Sequence, residues 1–196
     1  MRRLKSQAGF TITELMAVIA ISGFLMAAAA TGFSAFFSKF NEMSKSMELQ
    51  RDAFNCMQTI KSGIPIGSGS SLKFQGISTA ETAVFTGTSG SSASTIILYP
   101  PVSDYLHQND FIRIFHDGKY VRATYLNGTI MPAAPLYLFP KPTRGNEMEV
   151  TKLLFSKANG DGETKVVLVE LEARVKLRKD VYKNIAYSRK MTLTMK

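Results

Sequence analysis

Cysteine is nearly missing from this 196-residue chain, where Cys56 stands alone. One thiol makes no internal disulfide, so no disulfide framework staples the fold. Cys56 is expected as a small apolar residue on a packed helix, with an intermolecular bridge or a reactive thiol as the alternatives. Histidine is also sparse. His107 and His116 lie nine residues apart on different segments, and with one cysteine they offer no zinc-type ligand cluster. A phosphate-binding loop, a nucleophile elbow and a defensible pair of catalytic carboxylates are lacking, which argues against an enzyme. Proline does not occur before Pro65, and no charge occurs from Leu15 to Ser38.

That uncharged stretch is mostly apolar. Its 24 residues would span about 36 Å as a helix, enough for a hydrocarbon core of about 30 Å. Arg2, Arg3 and Lys5 precede it, so the positive-inside rule keeps the N-terminus cytoplasmic and sends the rest across the membrane. A secretory signal peptide has a shorter apolar region, about 7–15 residues, and a small-residue cleavage site. Here no polar segment follows the Ala27–Ala30 block. A plain membrane anchor would explain the length and the leader but not Glu14. A carboxylate at the head of an apolar run is costly without a partner, and the helix dipole supplies only about 0.3–1 kcal/mol. A specific cationic partner is the stronger explanation. The net charge of +9 is partly a leader effect, because the chain without residues 1–9 has 21 basic and 15 acidic residues.

The stretch Gly9-Phe10-Thr11-Ile12-Thr13-Glu14-Leu15 resembles the prepilin cleavage site of the type IV prepilin and pseudopilin family. That motif is a short basic leader ending in Gly, then Phe, then Glu four positions on, then an apolar helix. The resemblance covers roughly residues 1–40. It implies a cut between Gly9 and Phe10 by a prepilin peptidase, methylation of the new Phe10 amine, and a role for Glu14 in assembly against that amine on a neighbour. It also implies partnership with other pilin or pseudopilin subunits, membrane lipid and an inner-membrane assembly platform. The implied location is the bacterial inner membrane, single-pass with an extracytoplasmic head, and then a pilus or a periplasmic pseudopilus. Many major pilins carry a proline in mid-helix, where this chain has Thr31 and Gly32. That departure points to a minor pilin or pseudopilin. Tip subunits of the family can lack the acidic residue, so Glu14 does not mark this chain as the terminal cap.

Past Lys39 the pattern turns amphipathic. Phe36, Phe40, Met43, Met47, Phe54, Met57 and Ile60 recur mostly at three- and four-residue spacing, which predicts a stripe packed beneath the head's own sheet. Gly63 and Pro65 form a stop. Strand-like runs follow at 83–86, 95–99, 111–116, 120–126, 152–156, 166–177 and 185–195. Asp117-Gly118 and Asn159-Gly160-Asp161-Gly162 read as hairpin turns. The Gly/Ser/Thr segment 86–95 is expected as a mobile exposed loop, and the four prolines of 131–144 as an extended surface loop. The expected architecture is α+β: a long N-terminal membrane-spanning helix packed on an antiparallel β-sheet head. Its parts are a cleaved leader (1–9), a long helix (10–62, with about 15–38 in the membrane and 39–62 on the head), a Gly/Ser linker (63–72) and a β-rich head (73–196).

The head offers weaker signals. Asn159, Asp161 and Glu163 alternate in a loop and could begin a calcium site, although a plain hairpin turn explains the glycines between them and no other cofactor is expected. Lys176, Arg178, Lys179, Lys183, Arg189 and Lys190 alternate in part with apolar residues, as on the solvated face of a sheet. The alternative is a phosphate-tracking, DNA-binding surface with Tyr182 and Tyr187 adding stacking, as in minor pilins for DNA uptake. An adhesive minor pilin would instead use the two loops.

Overall fold

The computed structural model describes residues 11–65, 73–74, 76–89, 92–102, 109–129, 131–158 and 166–193. They fall into two compact units, 1–44 and 45–196. One helix, α1 (Ile12–Ser62, 51 residues), contributes to both. Its sequence is rich in Ala and Met, holds no proline, and so contains nothing that breaks an intrahelical ladder.

In the first unit the apolar side chains of α1, among them Ile19, Phe24, Leu25 and Phe33, are exposed. This is the one helix among the described residues that is long and apolar enough to cross a membrane. Phe36 and Phe40 stack at 6.3 Å on adjacent turns, and Lys39 pairs with Glu42 at 3.2 Å where the charges resume.

In the second unit α1 buries Leu49, Ala53, Cys56, Met57 and Ile60, which share one face at 3.6 residues per turn. The stripe read from the sequence is therefore shifted. Met57 and Ile60 are buried, but Met47 and Phe54 remain 55% and 48% exposed. The buried face carries the small Ala53 and Cys56 among Leu49, Met57 and Ile60, and the row of Met47 and Phe54 lies about a third of a turn away from it.

The end of α1 is closed by a segment distant in sequence. Gly63 adopts a φ of 98°, a left-handed conformation natural to glycine after a helix. The orphan carbonyls of Ile60 and Lys61 accept hydrogen bonds from the N–H groups of Ile77 and Ser78, each at 3.0 Å. The Ser78 hydroxyl donates to Lys61 as well, at 2.7 Å.

The head is antiparallel. Two short strands, β1 (Ile64–Pro65) and β2 (Lys73–Phe74), pair with each other. The main sheet comprises β3 (Thr82–Ser89), β4 (Ser92–Tyr99), β5 (Phe111–Asp117), β6 (Tyr120–Leu126), β7 (Leu136–Phe139), β8 (Met148–Lys157), β9 (Val166–Arg178) and β10 (Val181–Thr192). Its order is β10-β9-β8-β4-β5-β6-β7, with β3 paired to β4. The sheet branches at β4, which meets β5 over Thr95–Leu98 and β8 at Ser92 and Ala93. Alternation places Val167, Val169, Leu171, Ala173 and Val175 of β9 in the core with the helix residues, as period-two strands with one buried face require. The architecture is α+β, as the sequence predicts.

Two loop expectations need correction. Most of 86–95 is strand: Thr86 pairs with Thr95, Thr88 with Ala93 and Ser89 with Ser92. Backbone ladder bonds do not depend on apolar side chains, and threonine's branched Cβ suits a strand. The proline-rich stretch 131–144 holds the short edge strand β7 and a 3₁₀ turn at Pro142–Arg144. Its prolines flank β7 rather than interrupt it, which is how an edge strand tolerates them. At the β5–β6 hairpin Gly118 takes a φ of 62°, the positive value that its two-residue turn needs. The turn read at 159–162 and most of the 63–72 linker lie outside the described residues.

Candidate assembly site and head surface

Glu14 sits in the first turn of α1 and is tied to Thr11 three ways. The Thr11 N–H donates to Glu14 Oε2 at 2.9 Å, the Thr11 hydroxyl donates to the same oxygen at 3.0 Å, and the Glu14 N–H donates to Thr11 Oγ1 at 3.3 Å. This is a capping box, in which the threonine side chain and the glutamate side chain reciprocally satisfy helix N-terminal donors. Thr11 is the residue that sequence reasoning missed, and its signal was the spacing Thr11-x-x-Glu14 just ahead of an apolar run. The capping box holds the carboxylate at the head of the helix, on the N–H of Thr11, the residue that follows Phe10 in the sequence. Gly9, Phe10, Arg2, Arg3 and Lys5 lie outside the described residues.

The basic residues singled out in the head divide between places. Lys176, Arg178 and Lys179 stand together at the β9–β10 turn. Lys190 pairs with Leu168, eight register positions from the Tyr182–Lys176 pair. Lys183 pairs with Val175, and Arg189 reaches the helix, donating to Gln58 at 3.2 Å. Tyr187 also turns to the helix, its hydroxyl 3.3 Å from the Gln50 carbonyl oxygen, whereas the Tyr182 ring carries the Arg174 guanidinium 4.8 Å above it. Between the two ends, the solvent face of β9 carries acid: Lys152 bridges Glu170 at 3.0 Å and Glu172 at 3.3 Å. Asn159, Asp161 and Glu163 lie outside the described residues, as does His107. Among the described residues no three His, Cys, Asp or Glu side chains gather for a metal. The other histidine, His116, has its ring Nε2 3.2 Å from the Val150 carbonyl oxygen.

An ion network ties the helix to the head where the second unit begins. Arg144 meets Glu48 at 3.0 Å and Glu147 at 3.1 Å, and Lys45 meets Glu147 at 3.4 Å. Hydrogen bonding from Arg144, with a smaller attraction from Lys45, holds the Glu147 carboxyl below the ordinary carboxylate range. The network was invisible in the sequence, because Lys45 and Glu147 are 102 residues apart. Cys56 is buried, and desolvation pushes its thiol up to about 12. Burial of this kind leaves a thiol inert, since the thiolate is the nucleophile.

A long apolar helix with one carboxylate in its first turn, whose last turns pack on an antiparallel sheet, is a pilin-like α+β architecture. The comparison that supports this class lies in the N-terminal segment: a family model for the prokaryotic N-terminal methylation motif matches residues 4–30, which include Gly9, Phe10 and Glu14. No curated protein and no solved structure matches the chain. The matched segment is the one expected of type IV prepilins and pseudopilins, and it supports a type IV pilin-like protein. The motif implies processing by prepilin peptidase, methylation and assembly with other pilin subunits.

Proposed function

We propose that the chain is a minor pilin or pseudopilin, a structural and non-catalytic subunit of a type IV pilus or a type II secretion pseudopilus. The observation that carries this reading is Glu14, the one charged side chain between Lys5 and Lys39. The leader stays cytoplasmic through Arg2, Arg3 and Lys5, and the head lies across the inner membrane. Cleavage after Gly9 frees the Phe10 amine, and methylation keeps it cationic. In the filament Glu14 of one subunit faces that amine on a neighbour. Water is largely excluded there, so the attraction between opposite charges is strong and each carboxylate has a counter-charge. The contact fixes the axial step between subunits. The proline-free helix favours a minor subunit over the abundant one.

Because Glu14 also closes a capping box, Glu14→Ala alone would confuse two roles. Glutamine at the same position retains the capping acceptor and loses the charge. Glu14→Gln should therefore insert and be processed normally yet fail to enter the sheared filament fraction. Normal incorporation of Glu14→Gln would sink the charge-pairing role and leave Glu14 as a helix cap.

A further inference from the structure

Assembly through α1 leaves the tip of the β9–β10 hairpin unused. Residues 174–183 read Arg-Val-Lys-Leu-Arg-Lys-Asp-Val-Tyr-Lys, five basic residues against one acidic. Asp180 turns the chain at a φ of 60°. Lys176, Lys179 and Lys183 are exposed. So are Val181 and Tyr182, at 48% and 45%. The tip thus combines lysines with an apolar and an aromatic side chain in solvent.

Its place in the head follows from four contacts. The Lys176 N–H donates to the Glu147 carbonyl at 2.7 Å, and the Glu147 carboxylate meets Lys45, the first residue of the head unit. Farther along β10, Tyr187 reaches Gln50 and Arg189 reaches Gln58, so the strand leaves Lys45 behind as it proceeds. The hairpin tip therefore lies at the end of the head where the chain enters it. Residues 39–44 alone separate Lys45 from the uncharged run, a tether of at most about 25 Å even when fully extended. Lys119 joins this end, lining one recess of about 230 Å³ with Lys176, Tyr182 and Glu147. Two carboxylates here already face cations: Glu147 meets Arg144 and Lys45, and Glu149 meets Arg174 and Lys119, which leaves Asp180 as the acid of the tip itself.

We propose that this tip docks on anionic phospholipid at the surface of the membrane that α1 spans, before the subunit enters a filament. Lys176 and Lys179 pair with headgroup phosphates, while Val181 and Tyr182 enter the interface, where tyrosine is favoured. Each basic residue near an anionic leaflet strengthens such binding roughly fivefold. The inference rests on the reading that residues 15–38 cross the bilayer. Nucleic acid offers the same phosphate chemistry. It gives no reason, however, for an exposed Val181 beside the lysines, or for a basic tip at the tethered end of the head.

The chain contains no tryptophan, so Tyr182→Trp places a single reporter at the tip. The full-length variant is reconstituted in nanodiscs of zwitterionic lipid, or of the same lipid with an anionic fraction, with brominated acyl chains as quencher. We expect quenching and a blue-shifted emission in the anionic discs only, weakening as salt shortens the screening length. Adding Lys176→Gln and Lys179→Gln should lower the ratio of docked to free tip about 25-fold. Ser188→Trp, six residues or roughly 20 Å along the same strand, should stay unquenched. Equal emission in both lipids, or equal quenching at position 188, would overturn the proposal. A response to an oligonucleotide without one to anionic lipid would overturn it too and assign the tip to nucleic acid. Alkaline carbonate extraction separates the two layers of the inference. A chain that resists extraction but shows no quenching removes the docking surface alone, and a chain that is extracted removes the membrane span as well.

Discussion

Replacing Ile60 with alanine should unfold the head far more readily than replacing Phe54, although phenylalanine is the larger side chain. Ile60 is fully buried and its carbonyl anchors Ile77, whereas Phe54 is 48% exposed. A buried isoleucine truncated to alanine costs about 2–5 kcal/mol in lost transfer energy and residual cavity. An exposed site away from such features changes stability by about 0.5 kcal/mol or less. Cys56 supplies the assay, because its buried thiol is held up to about 12 and reacts only when the head opens. With labelling slow relative to reclosing, the rate follows the open population. At about 1.4 kcal/mol per tenfold, Ile60→Ala raises the labelling rate in detergent from roughly 30-fold to a few thousand-fold. Phe54→Ala raises it by no more than about threefold. Similar rates for the two variants, or rapid labelling of the folded wild type, would refute the placement of the helix face against the sheet.

Gly76 tests the closure of the helix end: a Cβ there would overlap the Lys61 carbonyl oxygen and the Gly63 nitrogen, both backbone atoms. Gly76→Ala should destabilise the head by about 1–3 kcal/mol, as overpacking does, and speed amide exchange at Ile77 and Ser78. Acid tests the ion network. The Glu147 pKa is depressed in the folded state, so its contribution is present above the unfolded value and is lost as the pH falls through the folded one. Thermal stability should therefore drop more steeply below the ordinary value of 4.5 in wild type than in Glu147→Gln, with added salt narrowing the gap. Parallel melting curves from pH 6 to pH 3 would contradict it.

Much of the fold was legible because the relevant rules are local. A charge-free run of helix formers gives the first part of α1, and Gly63 marks its end. Tyr120–Leu126 was read to the residue, and β5 and β9 each extend one residue beyond their expected ends, since alternating β-branched and aromatic residues carry their own period. β10 begins at Val181 rather than near Ile185, because Tyr182, Lys183 and Asn184 are exposed and show no alternation. The face of α1 that packs was misread, because a row of large apolar residues is no evidence of what lies opposite them. The face that packs carries Ala53 and Cys56 beside Leu49, Met57 and Ile60. In the site, the carboxylate was legible and its local partner was overlooked, although Thr11-x-x-Glu14 was available. The link from Lys45 to Glu147, and with it the location of the basic hairpin tip, depends on tertiary contacts that no local pattern encodes.

The most direct test of the central claim is intact-mass spectrometry of the chain co-expressed with a prepilin peptidase, comparing wild type with a Gly9 substitution. Prepilin processing gives loss of residues 1–9 and gain of one methyl group on Phe10, both abolished by the substitution. A chain of full, unmethylated mass in both cases would contradict it and leave a membrane-anchored domain with no route into a filament.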